Sequence, residues 1–220
     1  MKNSLPHITL ESGKQPKHSI IWLHGLGADG NDFVPMIDEL NLPFAVRFIF
    51  PHAPQRPVTI NGGYVMRAWY DIAGQTIDAR QDASGIRTSQ VTIEALVAQE
   101  VERGIPSKNI YLAGFSQGGA IALHTALRQA TPLGGVLALS TYLPLSGTVA
   151  NEAPAATKIT PIFMAHGSDD SVVPTSLGVT SRDALLNLGY KVEWHEYNMP
   201  HSICEQELRD IEAWLSKQLS

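Results

Sequence analysis

The sequence predicts an α/β fold built on a mostly parallel, doubly wound sheet. Short apolar, β-rich runs alternate along the chain with amphipathic segments of helical length, and this alternation is typical of such sheets. Several runs are apolar throughout rather than at every second residue, as expected for strands that helices cover on both faces. The 220 residues contain no repeat, low-complexity tract or linker. Because single α/β domains commonly reach this length, we expect one domain spanning residues 1–220.

The predicted elements follow one another in a regular order. The strands are His18–Leu23, Ala45–Phe50, Asn109–Ala113, Gly135–Leu139, Pro161–Ala165 and Lys191–Tyr197, with a further edge strand at Ile8–Leu10. The helices are Asp32–Leu40, Asp82–Arg103, Gln117–Gln129, Ser176–Leu188 and Ile203–Leu219. Two proline-containing stretches, 51–77 and 141–160, interrupt the alternation. Both follow strands, so we expect them beside the ligand site, which in open α/β sheets lies beyond the carboxyl ends of the strands.

Composition and charge exclude several classes of protein. The chain is 44% hydrophobic and 17% charged, with a net charge of −5, which indicates a globular protein without an electrostatic footprint for nucleic acid. No apolar stretch approaches the roughly 18–20 residues of a membrane span, and the first residues lack the apolar core of a signal peptide. The single cysteine, Cys204, excludes an intramolecular disulfide and fits a reducing compartment. We therefore expect a cytoplasmic protein.

A polar serine lies between glycines where a predicted strand turns into a helix. The stretch Gly114–Gly118 fits the pattern G-x-S-x-G, in which a sharp strand-to-helix turn presents the serine at the edge of the sheet. The glycines are needed because a Cβ atom at either position would meet neighbouring backbone. The alternative is a glycine-bordered serine that only caps a helix. The strand-like NIYLA before it and the helix-like GAIALHTALRQA after it favour Ser116 as a nucleophile.

A serine nucleophile requires a base and an orienting acid, and in this architecture both follow the serine along the chain. Two histidines qualify as the base. His195 lies within the predicted strand KVEWHEY, where a structural or solvent-facing role is expected. His201 lies in a loop before the last helix, where Ser202 and Glu205 fit an S-x-x-E capping box that would fix the start of that helix. We therefore favour His201.

The acid and the oxyanion donors are expected on loops that follow strands. The loop HGSDDSVVP at 166–174 offers two adjacent carboxylates, Asp169 and Asp170, and spacing does not choose between them. One oxyanion donor is expected to be the backbone N–H of Gln117, directly after the nucleophile. The other is the N–H of Leu26, which lies between two glycines in the early loop HGLGADG.

Cofactor and metal chemistry are less well supported. The loop at 25–30 also matches the dinucleotide-binding pattern G-x-G-x-x-G, but the acidic residue expected about 20 residues further on is missing. The eight histidines show no H-E-x-x-H and no paired short spacing. We expect neither a cofactor nor a metal. His24 and His166 each precede a glycine at a strand end, and we expect both to bind loop backbone.

Five stretches distributed over nearly the whole chain carry a family resemblance. They are LHGLGADGNDF at 23–33, PHAPQRPVTINGGYVMRAWYDI at 51–72, GFSQGGAIAL at 114–123, HGSDDSVVP at 166–174 and MPHSICEQEL at 199–208. In these stretches the chain resembles the small bacterial carboxylesterases related to acyl-protein thioesterases, which include lysophospholipase-like members. The block PHAPxRPVT…WYD is much more specific than G-x-S-x-G. The resemblance implies an α/β-hydrolase fold without a large cap domain, and a frequent homodimer.

The resemblance also assigns site residues. It implies Ser116 as the nucleophile and His201 as the base, with Leu26 and Gln117 at the oxyanion positions. The family pattern D-x-x-V-P falls on 170–174, so the resemblance selects Asp170 over Asp169 as the acid. At Thr141 the chain departs from its relatives, which more often have Gly or Cys there, so the shape of the acyl pocket is left open.

These observations predict hydrolysis of carboxylic esters or thioesters through an acyl-enzyme, without a cofactor. The substrate would be a small acyl ester or thioester, a lysophospholipid or an S-acylated protein. The apolar side chains expected around the acyl chain are Tyr64, Val65, Met66, Trp69, Tyr142 and Leu143; the alternative is that they pack the loops onto the sheet. Two other functions remain, an amide-cleaving serine peptidase and a non-catalytic binding protein on the same fold.

Overall fold

The computed structural model describes residues 5–74 and 81–219. Within those residues the strands are β1 (His7–Glu11), β2 (His18–Leu23), β3 (Val46–Pro51), β4 (Gln55–Val58), β5 (Tyr64–Arg67), β6 (Ile110–Phe115), β7 (Gly135–Leu139), β8 (Ile162–Gly167) and β9 (Val192–Tyr197). The α-helices are α1 (Met36–Glu39), α2 (Ala83–Glu102), α3 (Gln117–Ala126), α4 (Val149–Glu152), α5 (Thr175–Asn187) and α6 (Glu205–Gln218).

The described residues form one large sheet and one small hairpin. The large sheet has seven strands in the order β1-β3-β2-β6-β7-β8-β9. Only β1 runs antiparallel to its neighbour, whereas the pairs from β3 to β9 are parallel. All parallel strands therefore end at one edge, which is where α/β sheets bind their ligands.

Apolar residues cover both faces of the sheet, as the continuously apolar strands predict. On one face α2, α3 and α5 pack over a cluster that includes Ile86, Ile121 and Leu185. On the other face α1 and α6 cover a cluster that includes Phe48 and Trp214. No part of the described chain forms a large cap over the strand ends, as the family resemblance implies. The strand ends are therefore reached only by loops.

The strand predictions are confirmed to within two residues at each end, including the edge strand over Ile8–Leu10. Two features of the helices differ. The predicted helix Asp32–Leu40 is a 3-10 turn at Gly30–Phe33 followed by the one-turn α1, because Pro35 has no N–H with which to continue the hydrogen-bond ladder. The predicted helix Gln117–Gln129 ends as an α-helix at Ala126 and continues as a tighter turn.

The predicted capping box at the last helix is wrong. The helix α6 begins at Glu205 with Cys204 as its N-cap residue, and no side chain caps it. The hydroxyl of Ser202 donates instead to the Pro200 carbonyl oxygen, at 3.5 Å. Ser202 therefore belongs to the loop that carries His201 rather than to the helix start.

The irregular stretch 51–77 contains a hairpin that the sequence pattern did not reveal; its last residues, 75–77, lie outside the described part of the chain. The strands β4 and β5 pair antiparallel, in register from Gln55 with Arg67 to Val58 with Tyr64. The turn between them uses Gly62 and Gly63, which have φ angles of 65° and 81°. These left-handed conformations strain any residue with a Cβ atom, so the Gly-Gly pair makes the turn possible.

Candidate active site

Ser116 occupies a strained turn between β6 and α3. Its φ and ψ angles are 54° and −121°, a combination that non-glycine residues rarely adopt. Hydrogen bonds to neighbouring residues hold the turn in this conformation. The Ser116 N–H donates to the Leu139 carbonyl oxygen at 2.8 Å. On the other side, the Thr141 hydroxyl donates to the Ser116 carbonyl oxygen at 2.6 Å. Thr141 therefore braces the turn at Ser116.

The two glycines of the G-x-S-x-G pattern allow close approach of backbone segments. A Cβ atom on Gly114 would lie 2.4 Å from the carbonyl carbon of Gly118, and a Cβ atom on Gly118 would lie 2.3 Å from the Leu23 carbonyl oxygen. Both separations are far below van der Waals contact, and both neighbouring atoms belong to rigid backbone. The pattern is therefore required by packing between β2, β6 and α3.

His201 and Asp170 form a hydrogen-bonded pair beside this turn. The Nδ1 atom of His201 lies 2.6 Å from Oδ2 of Asp170, whose side chain is fully buried. The other carboxylate oxygen accepts from the N–H groups of Val172 and Val173, at 2.9 and 2.8 Å. Asp169, in contrast, is exposed. The structure thus brings Asp170, rather than Asp169, to the imidazole.

The ring of His201 is further held by Phe115. The two ring centroids are 4.7 Å apart, so the residue before Ser116 packs against the imidazole. Ser116 and His201 line the same cavity, although no hydrogen bond joins them in the described part of the chain. Contacts of this kind are often long without substrate and tighten in the reacting complex.

The loop that carries Asp170 is anchored by His166. Its Nε2 atom lies 2.8 Å from the Val173 carbonyl oxygen, so this nitrogen carries the proton and donates. Burial lowers the pKa of His166, which keeps the ring neutral. His24 binds loop backbone in the same manner: Nδ1 lies 2.7 Å from the Gly25 carbonyl oxygen, and Nε2 accepts from the Ala53 N–H at 3.0 Å. The expectation for both histidines is confirmed.

The backbone N–H groups of Leu26 and Gln117 are both available to a ligand. Neither donates to an acceptor within the described residues. Gln117 is the first residue of α3, where the N–H groups have no partner inside the helix and the helix dipole favours negative charge. Both residues line a cavity together with Ser116. Two N–H groups without an acceptor among the described residues therefore border this cavity.

The side chain of Gln117 has a role that sequence patterns did not indicate. Its Oε1 atom accepts from the Trp69 N–H at 2.8 Å, and its Nε2 atom donates to the Tyr70 carbonyl oxygen at 2.8 Å. The indole N–H of Trp69 in turn donates to the His24 carbonyl oxygen at 2.8 Å. Trp69 therefore links the start of α3 to the loop that carries Leu26.

Two cavities meet at Ser116, and Leu26, Ser116 and Val172 line both of them. The first, which we call the Tyr142 cavity, has a volume of about 240 Å³ and is completed by Ile60, Asn61, Tyr70, Ile72, Gly74, Gln117, Tyr142 and Val173. The second, which we call the Phe33 cavity, has a volume of about 330 Å³ and is completed by Gly25, Ala28, Asp32, Phe33, Phe115 and His201.

A pair of tyrosine hydroxyls forms one wall of the Tyr142 cavity. The hydroxyl oxygens of Tyr70 and Tyr142 lie 2.7 Å apart. Burial, followed by the neighbouring Tyr142, raises the pKa of Tyr70 well above its ordinary value. The pair is therefore uncharged at neutral pH, and the cavity wall stays mostly apolar.

Of the six side chains expected around the acyl chain, the structure brings only Tyr142 to a cavity wall. Trp69 and Leu143 are 1% and 3% exposed and pack into the core, because their loops fold back onto the sheet. Tyr64 and Val65 project from the β4–β5 hairpin and are exposed. The sulfur of Met66 accepts from the Asn61 amide at 3.4 Å, which ties it to the turn of the hairpin.

The other histidine candidate, His195, packs against neighbouring side chains of the sheet. His195 stacks on Phe163, with ring centroids 4.7 Å apart, and its Nε2 atom lies 3.0 Å from the Glu193 carboxylate. It thus takes the structural role expected of it.

In the described part of the chain, no group of three or more His, Cys, Asp or Glu side chains is arranged to hold a metal ion. Nor is any helix there long and apolar enough to cross a membrane.

The sheet is mostly parallel, a strained serine turn follows β6, and a histidine paired with a carboxylate lies on the loop after β9. This arrangement is that of an α/β-hydrolase. Comparison with known proteins narrows this class. The phospholipase/carboxylesterase family matches residues 5–219, and the chain belongs to that family of hydrolases. Acyl-protein thioesterase 1 of Neurospora crassa is 40% identical over 212 residues, which make up 91% of this chain and 86% of that protein.

Solved structures of relatives agree with this assignment. Arabidopsis thaliana SOBER1 superposes with a TM-score of 0.88 at 32% identity, covering 92% of this chain and 99% of that one. Zea mays acyl-protein thioesterase 2 superposes with a TM-score of 0.85 at 30% identity, covering 97% and 99%. These relatives are fungal and plant proteins. The expectation that the chain resembles bacterial members of the family in particular is therefore not supported.

Proposed function

We propose that the protein hydrolyses acyl thioesters and esters through an acyl-enzyme on Ser116. The observation that carries the proposal is the 2.6 Å hydrogen bond between His201 and the buried Asp170 carboxylate, in a cavity that His201 shares with Ser116. A serine hydroxyl becomes nucleophilic when an oriented imidazole takes its proton. The strained turn places Ser116 on the cavity wall, and no described residue forms a hydrogen bond with its hydroxyl.

Each residue has a separate step. The Nε2 atom of His201 removes the proton of Ser116, whose oxygen attacks the acyl carbonyl carbon. Asp170 keeps the proton of the imidazole on Nδ1 and stabilises the imidazolium that forms. The N–H groups of Leu26 and Gln117 bind the oxyanion, and removal of one such donor typically costs about 10²–10³-fold in rate. His201 then protonates the leaving group and later activates the water that releases the acid.

The substrates we propose are S-acylated proteins and related acyl esters. The support comes from the acyl-protein thioesterases that the chain resembles and from the apolar Tyr142 cavity, which can bury part of an acyl chain. An octanoyl chain is therefore a suitable probe.

Two matched pairs of variants test the proposal. Ser116→Ala and Asp170→Asn should each reduce hydrolysis of an octanoyl thioester, the latter by about 10⁴-fold as for other triad carboxylates. The controls Ser202→Ala and Asp169→Asn change the same residue types nearby, outside the proposed set, and should retain activity. A fluorophosphonate should label Ser202→Ala and Asp169→Asn as fast as wild type, Asp170→Asn far more slowly, and Ser116→Ala not at all. If Ser116→Ala keeps more than a trace of activity, or if Asp169→Asn loses as much as Asp170→Asn, the mechanism is refuted.

We also propose that the protein is a cytoplasmic homodimer. The exposed side chains of Ile60, Tyr64 and Val65 on the hairpin provide apolar surface that a second copy could cover, and a chain with one cysteine is suited to a reducing compartment. Light scattering of the purified protein tests the dimer: the mass of a single chain at all concentrations would contradict it.

A further inference from the structure

The two cavities at Ser116 differ in which reacting group they contain. The Phe33 cavity includes His201 in its wall, whereas the Tyr142 cavity includes Gln117. In the proposed mechanism the base must return its proton to the leaving group, so that group departs on the side of the imidazole. The acyl chain then occupies the Tyr142 cavity, and the alcohol or thiol occupies the Phe33 cavity.

The walls of the Phe33 cavity combine aromatic rings with one carboxylate. The rings of Phe33 and Phe115 lie on its wall with centroids 6.2 Å apart. Asp32 lines the same cavity and is exposed, so it lies at the mouth. Aromatic faces attract cations through the quadrupole of the ring, and a carboxylate attracts them by charge. No lysine or arginine is among the described residues that line the cavity.

The carboxylate of Asp32 is available to a ligand, unlike that of Asp29 in the same loop. Asp29 accepts hydrogen bonds from the backbone and side-chain nitrogens of Asn31, at 2.7 and 2.9 Å. Asp32 makes no side-chain hydrogen bond or ion pair within the described residues. The imidazolium of His201 that forms in the proposed mechanism is paired with Asp170.

We propose that the Phe33 cavity is a binding site for leaving groups that carry a positive charge near the scissile sulfur or oxygen, such as a quaternary or protonated amine. Asp32 supplies the counter-charge, and Phe33 and Phe115 supply the aromatic surface. The inference rests on the proposed hydrolase function and adds to it the class of leaving group.

Two isosteric thioesters test the proposal. Octanoylthiocholine carries a trimethylammonium group, and S-(3,3-dimethylbutyl) thiooctanoate carries a neutral tert-butyl group of the same shape. The measured quantity is the ratio of kcat/KM for the cationic thioester to kcat/KM for the neutral one. The ammonium group also makes thiocholine the better leaving group, so the ratio in wild type is compared with the ratio in Asp32→Asn. The control is Asp38→Asn, which changes an exposed aspartate of α1 that does not line the cavity.

We expect Asp32→Asn to lower the ratio by about fivefold, the upper end for an exposed ion pair, and Asp38→Asn to leave it unchanged. Raising the salt concentration should lower the wild-type ratio and have little effect on that of Asp32→Asn. An unchanged ratio in Asp32→Asn, or an equal fall in both variants, overturns the inference while leaving the proposed function intact. Hydrolysis of neither thioester by the folded protein overturns the proposed function and, with it, this inference.

Discussion

A buried carboxyl group on α6 should make the stability of the protein depend on pH. The side chain of Glu207 has no exposed surface, and no hydrogen bond of normal geometry reaches either oxygen within the described residues. Burial raises the pKa of Glu207 from 4.5 to about 8; the backbone of Cys204 opposes this shift and Asp210 adds to it. Between pH 4.5 and about 8, Glu207 therefore keeps its proton in the folded protein and loses it in the unfolded chain.

The sign and size of the effect follow from proton linkage. Because the folded state binds more protons between pH 4.5 and about 8, the free energy of unfolding falls as the pH rises through this window and levels off above it. The slope approaches about 1.4 kcal/mol per pH unit, and between pH 6 and pH 8 the loss is about 2 kcal/mol. Glu207→Gln cannot ionise, so it should be spared this loss.

The assay is denaturant unfolding of wild type and Glu207→Gln, followed by tryptophan fluorescence at pH 6, 7 and 8. The stability of the variant relative to wild type should rise by about 2 kcal/mol from pH 6 to pH 8, or by about 4–8 °C in Tm. Glu205→Gln is the matched control, since that carboxylate lies exposed on the same helix beside Arg209. It should shift stability equally at every pH. A difference between Glu207→Gln and wild type that stays constant across this range would refute the reasoning.

Two further variants test contacts that hold the site in place. Trp69→Phe removes the indole donor to the His24 carbonyl oxygen and should lower kcat about tenfold through the displaced Leu26 loop; steady-state kinetics that match wild type would contradict this. His166→Leu leaves the Val173 carbonyl oxygen without its donor and should lower kcat to a similar degree, about tenfold, with KM nearly unchanged. His166→Gln, whose amide can donate in the same direction, should recover most of the rate, and equal loss in both variants would point to packing instead.

The sequence predicted the sheet well because its central strands are buried on both faces. The run GVLAL is apolar throughout and HSIIWL is apolar from Ile20 onward, and β2 and β7 have the predicted bounds. The residues of the proposed triad could also be predicted, since each follows a strand on a loop with a recognisable pattern. The choice of Asp170 over Asp169 needed the family resemblance. The side chains of two adjacent loop residues point in different directions, and the spacing of residues in the sequence does not show which one faces the histidine.

The features that the sequence missed depend on contacts between distant segments. The strands of the β4–β5 hairpin have four residues each, and Pro57 lies inside β4, so neither length nor composition indicates a strand. Whether an aromatic residue such as Trp69 faces a cavity or the core depends on the fold of its loop. The capping box failed for a local reason: S-x-x-E marks a possible helix start, and the chain begins α6 three residues after Ser202.

The two hydrogen bonds of the Gln117 side chain have a consequence for mutational scanning. In the proposed mechanism the reaction uses only the backbone N–H at this position, and nineteen of the twenty amino acids keep that group. Yet among unbranched side chains of this length only that of glutamine carries a separate acceptor for the N–H of Trp69 and a donor for the carbonyl oxygen of Tyr70. A scan of position 117 would therefore show intolerance to nearly every substitution. The cause would be the loss of partners for the backbone groups of Trp69 and Tyr70. It would not mean that the glutamine side chain takes part in the reaction.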